Sequence, residues 1–414
     1  MDILKRLSAG EREWAVQAVD LLKILVARDT TDYHEKNGQA VVVDYLEKLD
    51  CEISLIRPDP QKLAAKYKEF NGGHTYEDRD CVVAVFKGTG GGRSILLNSH
   101  MDTVFPAALE RWLTDPFEPV EKDGSIFGLG ACDTKGGMAA VLTALRLIQE
   151  NDVRLKGDVI FESVVDEEAG GGNGTLACID AGYKADAVLV TEPNMLEPAS
   201  AHVGSYAAVI TVYGKSAHGN LKWEGVSALE KALPLMNRLT ELEKKWNQRK
   251  SDILPSPVLT ILHIEAGDGS ITLPDVCKML VNFTYLPDGY DYEGEFMGTV
   301  RRCEAADSWF ADHPVDVQLH HNVSPYYTSP DGVFPMLAAQ CVSAVTGRET
   351  TPTGLPCGAD ARFFANLGGM DTIVMGPGSI SDAHKPNEYV RVKDFIDAVK
   401  AYACLICEWC GVEQ

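Results

Sequence analysis

Residues 94–102 read SILLNSHMD, a short apolar run that ends abruptly in a histidine and an aspartate. Runs of this length, bounded by polar residues, read as buried strands. The same design recurs outward from it. CVVAVF (81–86), VIFESVV (159–165), AVLVT (187–191) and TIVMG (372–376) are further strand candidates, and MAAVLTALRLIQE (138–150) reads as a crossover helix. Residues 10–27 and 36–49 carry apolar positions at helical spacing, whereas 59–80, rich in Lys, Gly and Asp, reads as a loop or insertion. Strands that alternate with helices predict an α/β fold with a mixed, largely parallel central sheet.

The middle of the chain breaks this rhythm. AAVITVYG (207–214), VLTILHIEA (258–266), KMLVNFTYL (278–286) and VDVQLHH (315–321) are strand-like, with helical patterns near 225–248 and 291–312. The pattern predicts a smaller α+β domain over 203–320, inserted between the two parts of the first domain, 1–202 and 321–414.

Composition sets limits on function. Hydrophobic residues make up 45% and charged residues 24%, as in soluble globular proteins. A formal net charge of −22 argues against nucleic acid or an anionic membrane as partner. The start, MDILKRLSAGERE, lacks the apolar segment of a signal peptide, and no apolar run reaches bilayer-spanning length. Eleven cysteines, odd in number and mostly scattered, read as reduced thiols, and the expected compartment is the cytoplasm. Cys404, Cys407 and Cys410 repeat a CxxC spacing, but near the end of a helical pattern they read as packed thiols.

The chemistry lies where the strands end. SILLN runs into His100 and Asp102, VIFESVV into Asp166-Glu167-Glu168, AVLVT into Glu192, and TIVMG leads through PGSISDA to His384. In open parallel sheets, sites form beyond the carboxyl ends of the strands. A glycine-flanked turn, GLGACDTKGG (128–137), presents Asp133 just before the crossover helix. Taken singly, a histidine after a strand is usually structural and an acid in a glycine-rich turn is usually turn chemistry. Together, two imidazoles and several carboxylates converging on one sheet edge read as a metal site, with zinc first and cobalt or manganese as substitutes. Asp102, two residues from His100 in an extended segment, would sit beside it and orient its ring. Adjacent Glu167 and Glu168 would point in different directions, one to bind metal and one to act as base. The phosphate-loop, dinucleotide, HExxH and GxSxG patterns all fail.

These residues fall within a set of motifs: SHMDTV (99–104), GLGACDTKGG (128–137), DEEAGG (166–171), TEPN (191–194), GKSAHGN (214–220), GADAR (358–362) and GPGSISDAHKPNEYV (376–390). In this order they resemble the acetylornithine deacetylase, succinyl-diaminopimelate desuccinylase, aminoacylase and glutamate carboxypeptidase family of two-metal hydrolases. The Cys132-Asp133 pair and the last motif look most like the acetylornithine deacetylase branch.

The resemblance implies a zinc-peptidase-like catalytic domain interrupted by a lid that commonly forms a homodimer. It implies that His100 and Glu192 hold one divalent metal, Glu168 and His384 the other, and that Asp133 bridges them. Asp102 becomes the orienting acid and Glu167 the general base acting on water between the metals. His218 becomes the oxyanion donor, and Arg362 the partner of a substrate carboxylate. The implied reaction is hydrolysis of an N-acyl amino acid, with dipeptidase, aminopeptidase or carboxypeptidase action on short peptides as the alternative, and a silent binding protein as a third reading. Three lid positions depart from the family pattern: Thr272 where Asn is usual, Tyr285 in place of Arg, and Gly219-Asn220 in place of two serines.

Overall fold

The computed structural model describes residues 2–168 and 172–413. Of the DEEAGG motif, Ala169, Gly170 and Gly171 therefore lie outside the described residues. The chain divides into two compact units. One comprises Met1–Ala201, Tyr327–Gly354 and Ala359–Gln414; the other comprises His202–Tyr326 and Leu355–Gly358.

The first unit is α/β. Four strands run parallel at the heart of its sheet, in the order Val159–Val164, Ile95–His100, Ala187–Pro193 and Asp371–Gly376. Cys81–Phe86 joins antiparallel beside Val159–Val164, and Glu52–Ile56 joins antiparallel beyond it. Val159–Val164, Ile95–His100 and Ala187–Pro193 are buried along their whole length. Strands covered on both faces lose the in-out alternation, which explains their continuous apolar runs. Helices Glu11–Val26, Lys135–Glu150 and Val392–Cys410 share one core with Ile95, Leu97, Val159 and Phe161. Each fully buried Leu or Phe there contributes roughly 1.5–3 kcal/mol. Helix Lys135–Glu150 starts almost in contact with the sheet, since a Cβ on Gly137 would lie 2.6 Å from Thr191. Only glycine allows that approach, and it brings the Asp133 turn to the end of strand Ala187–Pro193.

The stretch 59–80 is more ordered than a loop reading allows, because it contains a helix at Pro60–Lys66. Asp59 caps it, its side chain accepting from the amides of Gln61 and Lys62 at 3.0 and 3.1 Å, and proline occupies the first helical position. With Leu63 as its one buried residue, the helix leaves no apolar periodicity to read.

The second unit carries a four-stranded antiparallel sheet, ordered Leu259–Ala266, Val276–Tyr285, Gly204–Tyr213, Asp316–Val323. Helices Ala228–Trp246 and Tyr292–Ala305 share a core with it. Ser227 and Asp291 cap their starts through side-chain bonds to the amides of Glu230 and Gly294. Trp246 sits 5.0 Å from the Phe283 ring and 5.2 Å from Tyr292, and its indole N–H donates to Glu295 at 2.7 Å. Among the described residues, no helix is long and apolar enough to cross a membrane.

Candidate metal centre

The four parallel strands deliver their polar ends to one edge. His100 closes strand Ile95–His100, and its Nδ1–H donates to the main-chain carbonyl of Asp102 at 2.9 Å. That bond fixes the tautomer and turns Nε2 toward Asp133, 3.0 Å away. The orienting contact is thus the Asp102 carbonyl. Its carboxylate stands 3.8 Å from Nδ1 and accepts from the Glu168 amide at 2.8 Å.

Asp133 is buried, and its two oxygens face different histidines. Oδ1 meets His100 Nε2 at 3.0 Å, and Oδ2 meets His384 Nε2 at 3.3 Å. Glu192 stands on the His100 side at 3.6 Å, and Glu168 on the His384 side at 3.0 Å. Ligand atoms of His100, Glu167 and Glu192 lie within 4.8 Å of one another, as do those of His100, Asp133 and Glu168. Glu167 therefore borders the His100 side, while no hydrogen bond among the described residues reaches its carboxylate.

Electrostatics reinforce this picture. Burial, then the charge of Glu192, pushes the Glu167 carboxyl well above its usual range. Burial raises Glu192 and Asp102 to about 7 each. Burial would raise Asp133 too, but its bonds to His100 and His384 outweigh that and hold it below the ordinary carboxylate range. Hydrogen bonds donated by His384 to Asp133 and Glu168 lift its imidazole to about 11. Burial disfavours a charged His100, yet Glu192 and Asp133 together raise it well above normal. Each imidazole thus holds a proton against carboxylates, in the position where a divalent cation would satisfy the same oxygens. Two imidazoles and several carboxylates gathered about Asp133 fit divalent cations of zinc type.

Glu388 escaped the sequence reading although it lies inside a quoted motif. It is buried, and its carboxylate accepts from the amides of Gly130, Cys132 and Asp133 at 3.0, 2.8 and 2.9 Å. It therefore moulds the turn that presents Asp133. Farther along strand Val159–Val164, fully buried Glu162 accepts from Asn98 at 3.1 Å, and Thr175 joins Asn98 to Asp360. Burial raises Glu162 to about 8.

Arg362 is buried on helix Ala361–Asn366, donates to the Ala359 carbonyl at 3.0 Å and lies over the Phe363 ring. The contacts that join the ligand cluster do not include it. His218 belongs to the second unit, where it is exposed, accepts from the Asn220 amide at 3.2 Å and bridges to Thr272. Tyr285 donates to the Asn322 side chain at 2.7 Å, and Gly204 lies against its ring. Cys404, Cys407 and Cys410 are buried on the last helix, and the metal-capable groups found among the described residues do not include them.

A parallel sheet whose polar ends gather histidines and carboxylates around Asp133 is the setting of a metal-dependent hydrolase of C–N amide bonds. The chain belongs to peptidase family M20/M25/M40, whose sequence model matches residues 96–408. The family is one of dinuclear metal-binding peptidases. Two curated relatives, from Halalkalibacterium halodurans and Bacillus subtilis, are each named N-formyl-4-amino-5-aminomethyl-2-methylpyrimidine deformylase. The first is 28% identical, with 100% of this chain and 99% of the relative covered; the second is 28% identical, with 95% of each covered. Among solved structures, a tripeptidase from Staphylococcus aureus superposes with a TM-score of 0.76 at 19% identity, covering 96% of this chain and 98% of that one.

Proposed function

We propose that this chain removes a small acyl group from the nitrogen of a small polar amine or amino acid, using two zinc ions. The observation that carries the reading is Asp133, with one oxygen toward His100 and the other toward His384. His100 and Glu192 would hold one cation, Glu168 and His384 the other, and Asp133 both. Bound there, two divalent cations supply the charge that lowers the pKa of water toward neutrality and polarises an amide carbonyl.

The protein's own groups do the rest. Glu167, half-buried at the cluster and reached by no hydrogen bond among the described residues, takes the proton of the attacking water and hands it to the leaving nitrogen. His218 serves as oxyanion donor and Arg362 as partner of a substrate carboxylate; both assignments rest on the resemblance alone. A homodimer formed through the second unit completes the reading, supported by Leu262, Ile264 and Leu319, which stand exposed on that unit's strands.

The relatives that match over nearly the whole chain are named as deformylases of a pyrimidine amide. They favour a formyl amide over the acetylornithine-like substrate expected from the sequence. Purified protein stripped of metal and reloaded with zinc, cobalt or manganese should hydrolyse N-formyl or N-acetyl compounds faster than dipeptides and tripeptides. A preference for peptides would move the chain to the exopeptidase side of its family. Turnover that survives chelation would end the two-metal reading.

A further inference from the structure

The stretch 59–80 grips both ends of the turn that carries Glu167 and Glu168. At the near end stands Asp166, fully buried, with its backbone in the left-handed region at φ 73°, uncommon for a residue with a side chain. Its carboxylate accepts four hydrogen bonds. Three come from this stretch: His74 Nδ1 at 2.6 Å, the Tyr76 hydroxyl at 2.7 Å and Arg79 at 3.1 Å. The fourth comes from Asn173 at 3.0 Å, across the turn.

Asn173, the far end, is fully buried as well. Its side chain donates to the Asn71 carbonyl at 2.8 Å and to the Tyr76 oxygen at 2.6 Å, and accepts from the Asn71 amide at 3.1 Å. The Gly172 amide closes the turn onto the Asp166 carbonyl at 2.9 Å. Arg79 is itself fixed by a forked pair with buried Glu35 and by its bond to the Thr75 carbonyl. The helix at the start of the stretch is tied down by Lys62 and Lys66, both 2.5 Å from Asp180.

Between these ends, the Glu168 carboxylate meets His384 Nε2 at 3.0 Å. The Glu168 amide donates to Asp102, and no hydrogen bond among the described residues reaches the Glu167 carboxylate. Among the described residues, what lies next to that carboxylate in the chain and is firmly held is Asp166, with its four hydrogen bonds.

We propose that His74, Tyr76 and Arg79 are positioning residues for hydrolysis: by clamping Asp166 and Asn173 they fix where Glu167 and Glu168 stand. The role given to Glu167 rests on the function proposed above; the clamp on Glu168 as a metal ligand does not require turnover. A misplacement of about 1 Å can cost roughly 10²-fold in rate, so a clamp that shifts slightly is felt at the reacting atoms.

The test uses the full chain with Tyr76→Phe, His74→Gln and Arg79→Lys. Steady-state kinetics are read beside calorimetric titration of the metal-free protein with zinc alone. The clamp predicts kcat lower by about 10–100-fold with KM within about twofold, and the second zinc bound about 10–100-fold more weakly. Unchanged kcat and unchanged zinc affinities, with only the melting temperature lowered, would make the network a fold anchor and overturn the proposal. Should Arg79→Lys fail to fold, Tyr76→Phe decides, because it removes one oxygen and keeps the ring. Zinc binding is measured without substrate. A wild-type chain that turns over nothing therefore defeats the proposed function while the clamp is still judged.

Discussion

In the second unit the interior is aromatic and aliphatic: Trp246, Phe283, Phe296 and Tyr292 pack together, and no buried Asp, Glu, Lys or Arg is found among its described residues. The first unit holds all of those, including Asp133, Glu162, Asp166, Glu192, Asp360 and Glu388. Buried acids cost stability unless paired and hydrogen-bonded, and several here sit above their normal pKa because burial outweighs the bonds they accept. The interior of one unit is apolar packing, while the interior of the other holds charge. Substitutions in the two should therefore fail in different ways.

Glu167→Gln should break the contrast most sharply, lowering kcat by about 10²–10⁴-fold. Zinc content, measured by elemental analysis, should stay at two per chain and the melting temperature should not fall. Retained activity would remove Glu167 from the chemistry. His218→Ala comes next, with kcat down about 10²–10³-fold and zinc content unchanged, if it donates to the oxyanion. It would be the one case in which the second unit fails by lost rate instead of lost stability. Unaltered kcat would return it to the surface of its turn.

Trp246→Ala addresses ordinary packing and should cost about 3–5 kcal/mol in denaturant unfolding. Zinc titration of the folded protein should match wild type. A loss of zinc affinity would show that the two interiors are not separable.

An effect visible only as a dependence on pH is expected at Glu162, whose folded pKa of about 8 lies above its ordinary 4.5. The folded state then binds the proton more tightly than the unfolded chain. Stability from this group is fully present below about pH 4.5 and falls, at up to about 1.4 kcal/mol per pH unit, until about pH 8. Glu162→Gln lacks that slope, so its melting temperature relative to wild type should rise between pH 5 and pH 9. An equal gap at both pH values would mean that Glu162 carries no raised pKa.

Much of this was legible in the sequence, for a physical reason. The buried strands read as apolar runs, and a charged residue at the end of such a run stands out, as His100, Glu192 and the Glu167-Glu168 pair do. Glu388 did not stand out, because it lies among polar residues and its partners, the amides of Gly130, Cys132 and Asp133, carry no side-chain signal. The clamp was hidden for a related reason. His74, Tyr76 and Arg79 look like surface residues of a polar stretch until the fold sets them against Asp166, about ninety positions away. The Asp59-Pro60 start signal was present, but the helix it opens is too short to show a period.

The bond pattern of Glu388 also has a consequence for how the protein is made. Asp133 leaves the ribosome 255 residues before the carboxylate that moulds its turn, and His384 emerges just ahead of that carboxylate. A nascent chain that already displays His100, Asp133 and Glu192 still lacks both the brace and the second imidazole. Assembly of the Asp133 turn therefore waits until synthesis has passed Glu388, and a product cut before that point carries His100, Asp133 and Glu192 without the brace.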